Sequence, residues 1–206
     1  MELSVSELWM SQAGPPRSPG SDDERMARIV ALAITGDRAA FGEIVIRHER
    51  RVLTLAFRLL GTMEDAQDAA QEVFLRTFKY LRRFDTSRPL EPWLVRTTVN
   101  VCHGLGRKRQ QQRMVFVPTD FLEHADPGGN PHTELRAEEQ RRMLYQALEG
   151  LGEKERTAVV LRDIEGFTTA EVAEILGSSE ATVRSQISVA RLKIRKVIER
   201  MKGDPR

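Results

Sequence analysis

The sequence predicts an all-α protein of two small helical domains joined by a flexible linker. Apolar residues recur at steps of three and four through every long segment, aromatic residues are scarce at 6% while charged residues reach 30%, and one tract without a sustained period, residues 114–133, divides the chain. Steps of three and four gather apolar side chains on one face of a helix. A chain of 206 residues has room for one or two domains with their own cores. The expected boundaries are a leader over 1–24, a first domain over 25–113, the linker over 114–133 and a second domain over 134–202.

The leader contains SQAGPPRSPGSDDE, too rich in Pro, Gly, Ser and charge to bury much surface. A short helix from about Asp23 to Thr35 follows, packing through Met26, Ile29, Val30 and Ala33 and closed by Gly36 and Asp37. The next helix places Phe41, Val45, His48, Val52, Leu55 and Leu59 on one stripe. His48 there reads as a packed, hydrogen-bonded histidine rather than a metal ligand, because no second His or Cys lies at ligand spacing. His103, His124 and His132 are equally isolated, so no metal site and no cofactor is expected.

After Gly61 and Thr62, a third helix packs through Ala66, Ala70, Val73, Thr77 and Leu81, leaving Asp65, Asp68, Gln71, Glu72 and Leu75 on other faces. Carboxylates in a first turn suit the positive end of a helix. Asp68 and Glu72, four apart with no evident cation, repel each other. A basic partner surface would supply the missing charge; a plain solvated acidic face is the alternative. Beyond the loop RRFDTSRPLE, Pro92 marks the first position of a further helix with Leu94, Thr98, Val101 and Leu105 inward. Arg96, Asn100, His103 and Arg107 make a second stripe with Trp93 beside it, a combination of stacking, amide and cationic groups suited to nucleic acid. An exposed polar face whose Trp belongs to the core is the plainer reading.

The second domain opens with AEEQRRMLYQALEGL and EKERTAVVLRDIEGF, then a helical hairpin from Thr168 to Arg195. Thr168 with Glu171 has the form of a capping box, and Gly177-Ser178 interrupts the apolar pattern. Val183, Ile187, Ala190, Ile194 and Val197 then form one narrow stripe. The opposite side shows Ala181, Arg184, Ser185, Ser188, Val189 and Leu192, with Arg191, Lys193, Arg195 and Lys196 following. Small hydrogen-bonding groups followed by cations suit a helix inserted in a DNA major groove; an amphipathic hairpin with a solvated basic face is the other reading.

Charge is segregated although the net value is only +2. Residues 82–113 oppose their Arg and Lys with only Asp85 and Glu91, residues 176–206 with only Glu180, Glu199 and Asp204, and residues 64–72 carry no cation at all. Two basic zones and an acidic one suggest a polyanion together with a second, differently charged partner. The single cysteine, Cys102, leaves no internal disulfide, no apolar run approaches membrane-crossing length, and the start does not read as a signal peptide. A cytoplasmic protein without membrane insertion is expected.

The order of these parts resembles bacterial sigma factors of the extracytoplasmic-function group, which keep only the second and fourth conserved regions of the sigma-70 family. DAQDAAQEVFLRTF (Asp65 to Phe78) is similar to the region 2 helix that binds the clamp helices of the RNA polymerase largest subunit. PWLVRTTVNVC (Pro92 to Cys102) is similar to the helix that reads the −10 element, and Leu151 to Lys196 to region 4, which reads the −35 element. The resemblance implies that Asp65, Asp68, Gln71, Glu72 and Leu75 meet polymerase. It implies that Arg83, Arg88, Trp93, Arg96, Asn100, His103 and Arg107 hold the melted −10 strand, and that Thr182, Arg184, Ser185, Ser188 and Arg191 meet the −35 duplex. Core RNA polymerase, through its clamp helices and flap region, promoter DNA and an anti-sigma factor are the implied partners.

The chain departs from the family pattern where Gly104 and Gly106 follow the −10 helix's Asn100, which is expected to shorten that helix. Gln186, Ser188 and Val189 stand where the family often shows Arg, an aromatic and Arg, and Gly152 replaces a frequent proline. The rival reading is a helix-turn-helix repressor or activator that binds duplex DNA without melting it; it leaves the acidic helix and the Trp/Arg/Asn stripe without a role. No Gly-rich phosphate loop, paired metal-spaced His or Ser elbow points to an enzyme.

Overall fold

A computed structural model describes residues 21–112 and 142–203, and all regular secondary structure among them is helical. The chain divides into two compact units, one containing the described residues 21–112 and the other 142–203. Most of the leader and the linker over 114–133 lie outside the described residues; the leader's last residues belong to the first helix, which starts at Ser21.

In the first unit, α1 (Ser21–Ile34), α2 (Arg38–Leu60), α3 (Met63–Tyr80) and α4 (Leu90–Gln112) form a bundle, with a 3-10 turn at Leu81–Arg83. Asp37 starts α2 by accepting from the backbone N–H groups of Ala39 (2.8 Å) and Ala40 (3.1 Å). Gly61 ends it in a left-handed conformation (φ 85°) that aims its N–H back at the Phe57 carbonyl. The central helix α2 touches α1, α3 and α4, so its buried surface is wider than one stripe: Ala40, Ile44, Val52, Leu55, Ala56 and Leu59. Phe41 and Val45, placed in the core by the spacing, are only half-buried.

Two expectations about α4 are corrected. It begins at Leu90, so Pro92 is its third residue; N–H groups throughout the first turn lack intrahelical partners, and proline is tolerated there as well as at the first position. Gly104 and Gly106 do not end it, since the helix continues to Gln112. Each glycine costs only about 1 kcal/mol in a helix interior, and buried Val99, Val101 and Cys102 hold the preceding turns. Burial pushes the Cys102 thiol up to about 12, with Asp65 adding to the effect; this thiol stays protonated at neutral pH and is unsuited to redox switching.

His48 packs against the start of α4, beside the Arg51–Glu91 ion pair and a cavity of about 10 Å³. It is not the hydrogen-bonded histidine expected: its Nε2 is buried without a hydrogen-bond partner. Burial holds its pKa below the ordinary 6.5, with Glu91 pulling upward and Arg51 and Arg47 downward. The folded unit therefore resists a proton that the unfolded chain accepts, and stability present above 6.5 declines as pH falls through the folded value. In a Trp9→Phe background, where Trp93 is the one tryptophan and is excited selectively, urea midpoints are expected to fall between about pH 7 and about pH 5, and less steeply in His48→Gln.

In the second unit, α5 (142–149) is followed by α6 (Glu153–Val159), a π-helical turn (Val160–Ile164), α7 (Thr169–Leu176) and α8 (Glu180–Gly203). The capping box at α7 is present: the Thr168 hydroxyl oxygen accepts from the Glu171 N–H (3.2 Å), and the Glu171 carboxylate accepts from the Thr168 N–H (2.7 Å). Gly177 turns the chain with φ 59°, a conformation that favours glycine. Val183, Ile187, Ala190 and Ile194 are buried as the spacing predicts, but the stripe ends on Ile198, and Val197 is only half-buried. No described helix is long and apolar enough to cross a membrane.

Candidate functional site

Three exposed surfaces collect the residues singled out in the sequence. On α3, Asp68, Gln71, Glu72 and Leu75 are spaced three and four apart and so share one face. Leu75 is 59% exposed, and Phe78, three residues on, is 54% exposed despite an edge-on contact with Phe41 at 5.0 Å. Phe78 extends the acidic face with an apolar end; its spacing from Leu75 is the signal that marks it.

Asp65 does not join that face. It is 8% exposed, and its carboxylate accepts from the Thr62 hydroxyl (2.7 Å), whose oxygen accepts from the Asp65 N–H (3.3 Å). It supports Thr62, the residue that caps α3, and its carboxylate is turned inward. Nor is Glu72 without a cation: Arg76, one turn on, donates to it at 2.7 Å. Such an exposed pair contributes only about 0.3–0.5 kcal/mol, and Asp68 makes no ion pair among the described residues.

On α4, Arg96, Asn100 and Arg107 are exposed and His103 is half-exposed, all on one stripe. Trp93 is half-buried against Phe84 of the preceding loop, with ring centroids 5.4 Å apart and planes tilted by 54°. It is thus neither wholly core nor a free stacking platform; Phe84, not identified from the sequence, fixes its ring. The loop is shaped by Asp85, which accepts from the Ser87 hydroxyl (2.6 Å) and N–H (3.0 Å). Those bonds hold its carboxyl below the ordinary range. Arg83 and Arg88 stand exposed on either side.

On α8, Arg184, Ser185 and Ser188 are exposed. The Arg184 guanidinium donates to Glu180 at 3.0 Å along the helix surface. Thr182 is exposed too, but its hydroxyl lies 2.8 Å from that of Ser179, which caps α8 by accepting from the Thr182 N–H (3.2 Å). Arg191 departs most from expectation. Its Nε and one terminal nitrogen donate to the two oxygens of Asp163 at 2.9 and 2.6 Å, and the partnership raises its pKa. A guanidinium held by a carboxylate in this two-pronged way commits two of its five donors to the fold, although the side chain remains 54% exposed. Lys193 is likewise held by Glu155 at 2.7 Å, and that bond keeps the Glu155 carboxyl low.

The cationic rim of this surface comes instead from Arg162 in the π-helical turn and Arg195 on α8. With Thr169, Arg184, Ser188 and Arg191 they line an open groove of about 570 Å³ between that turn, the start of α7 and α8. Arg162 was not legible as a site residue, because only the folded π turn brings it opposite α8.

Two sigma-70 family models match the chain, region 2 over residues 44–113 and region 4 over residues 141–194. The ECF RNA polymerase sigma factor SigM of Mycobacterium tuberculosis is 31% identical over 87% of this chain and 87% of its own length. The ECF RNA polymerase sigma factor SigE of Mycolicibacterium smegmatis is 37% identical over 78% of this chain; the match spans 63% of that protein's length. Among solved structures, CnrH in complex with the cytosolic domain of CnrY is similar over 84% of this chain and 96% of that one, with 28% identity and a TM-score of 0.61. By these matches, the chain belongs to the ECF sigma factors of the sigma-70 family.

Proposed function

We propose that this chain is a transcription initiation factor that binds core RNA polymerase and directs it to promoters, with the work divided among the three surfaces. The face of Asp68, Gln71, Glu72 and Leu75, extended by Phe78, meets the polymerase clamp. Arg83, Arg88, Arg96, Asn100, His103 and Arg107, around the Phe84-braced Trp93, hold the melted −10 strand, and α8 reads the −35 major groove. Asp65 drops out of the first set, and Arg191 acts by fixing α8 to the π turn. The observation that carries this reading is that one chain presents an acidic-apolar helix face and two separate cationic faces. A duplex-binding regulator needs only the last of these.

The proposed domain boundaries are 25–113 and 134–202, which contain the matched stretches 44–113 and 141–194, and partner control by an anti-sigma factor fits a protein whose binding faces are exposed. Mixing the full chain with core polymerase and a promoter library, then mapping transcript 5′ ends, tests the proposal. New start sites that share two spaced elements are expected; a repressor or activator of the rival kind yields none with core polymerase alone.

A further inference from the structure

We infer that, α8 being the −35 reading helix, this chain recognises its −35 base pairs through apolar contact of Val189 and Leu192 with thymine methyl groups rather than through guanidinium contacts with guanine. The inward stripe of α8, Val183, Ile187, Ala190 and Ile194, is buried. At 3.6 residues per turn, the ridge directly opposite is Ala181, Ser185, Ser188 and Leu192, with Val189 alongside; all five are exposed. No charge stands on that ridge over the first turns, from Ala181 to Leu192; Lys196 continues it one turn further on. Arg184, Arg191 and Arg195 flank it, and with Arg162 and Thr169 they line the same groove as Ser188, Val189 and Leu192.

Guanine offers two acceptors to the major groove and is met best by Arg or Lys, whereas thymine offers one acceptor and a methyl group that an apolar side chain covers. Of the guanidinium groups beside the first turns of the ridge, Arg191 is held by both oxygens of Asp163 and Arg184 by an exposed pair with Glu180, while Arg195 lies past Val189, a turn beyond Leu192. Gln186, the remaining amide, is half-buried with its side-chain oxygen enclosed and unpartnered. What stands outermost is Val189 at 40% and Leu192 at 51% exposure. Arg162 and Arg195 on the rim give the positive edge that selects duplex DNA as what covers these apolar groups, since they attract the phosphates flanking the groove. The Ser185 and Ser188 hydroxyls accept or donate and so add hydrogen bonds without choosing guanine.

The test is transcription by the full chain with core RNA polymerase from a library randomised across both promoter elements. Wild-type starts should enrich thymine, on either strand, at the −35 position that responds to Val189. Val189→Ala should lower that enrichment about fivefold, the loss expected for uncovering part of a methyl contact, and leave the other positions as they were. Val189→Arg should move the preference at the same position to guanine. Both substitutions are at an exposed site, and unchanged circular dichroism verifies the fold. The inference is overturned if Val189→Ala alters no position, or if the position it alters carries no thymine. A wild-type chain that produces no starts beyond core polymerase alone removes the sigma reading itself, and the inference with it.

Discussion

Replacing Asp68 and Glu72 together with Lys is expected to weaken association with core RNA polymerase about a hundredfold, because each reversal forfeits a close charge pair worth about 1.5 kcal/mol or more. The two carboxylates lie on the exposed face of α3 beside Leu75 and Phe78, so the substitution reaches a contact surface without touching the core. The internal cost is small: one exposed pair, Glu72 with Arg76, is lost. The double variant should keep its helical circular dichroism while its affinity, measured by fluorescence anisotropy against core polymerase, collapses. Replacing Asp65 with Ala should behave oppositely, lowering stability by about 1 kcal/mol because the Thr62 hydroxyl loses its acceptor, with only a secondary effect on binding. An unchanged affinity in the double Lys variant would mean that the acidic face is merely solvated.

The second large effect is expected from Phe167→Ala. Phe167 is fully buried at the exit of the π turn, where its N–H donates to the Leu161 carbonyl at 3.0 Å. Removing a buried phenyl ring costs about 3–5 kcal/mol, a large share of the stability of so small a unit. The unit of residues 21–112 has its own core around α2 and should survive. Hydrogen exchange is expected to show lost protection over Glu180–Ile198 with protection retained over Ile44–Leu59. Transcription should then lose its dependence on the −35 element while polymerase binding persists in part. Loss of protection throughout both units would show that they do not fold separately.

How far the fold was legible depended on the range of the interactions involved. The Thr168–Glu171 capping box and the Gly177 turn are written in neighbouring residues and appear as read. The slip from Val197 to Ile198 has a simple cause: alternating steps of four and three average 3.5 residues per turn, and a helix of 3.6 drifts past that pattern within a few turns. In α2, contact with three helices spreads burial beyond any one stripe. The site was least legible where charges meet across long separations. Asp163 with Arg191, Glu155 with Lys193 and Arg51 with Glu91 each join distant segments, and no local pattern reveals that Arg191 and Lys193 already have carboxylate partners. Asp65 misled for the opposite reason, since its role is a hydrogen bond to the hydroxyl only three residues before it.

The central claim is that the chain makes polymerase open promoter DNA, not that it merely binds duplex. Permanganate mapping of unpaired thymines on a promoter from the library selection, with core polymerase alone, the chain alone and both together, tests it most directly. Reactive thymines at the −10 element only when both are present are expected, and Trp93→Ala should reduce them, since each stacked base contributes about 1–3 kcal/mol. A duplex that stays unreactive with both proteins present, while the chain alone protects it, would contradict the account and favour a helix-turn-helix regulator.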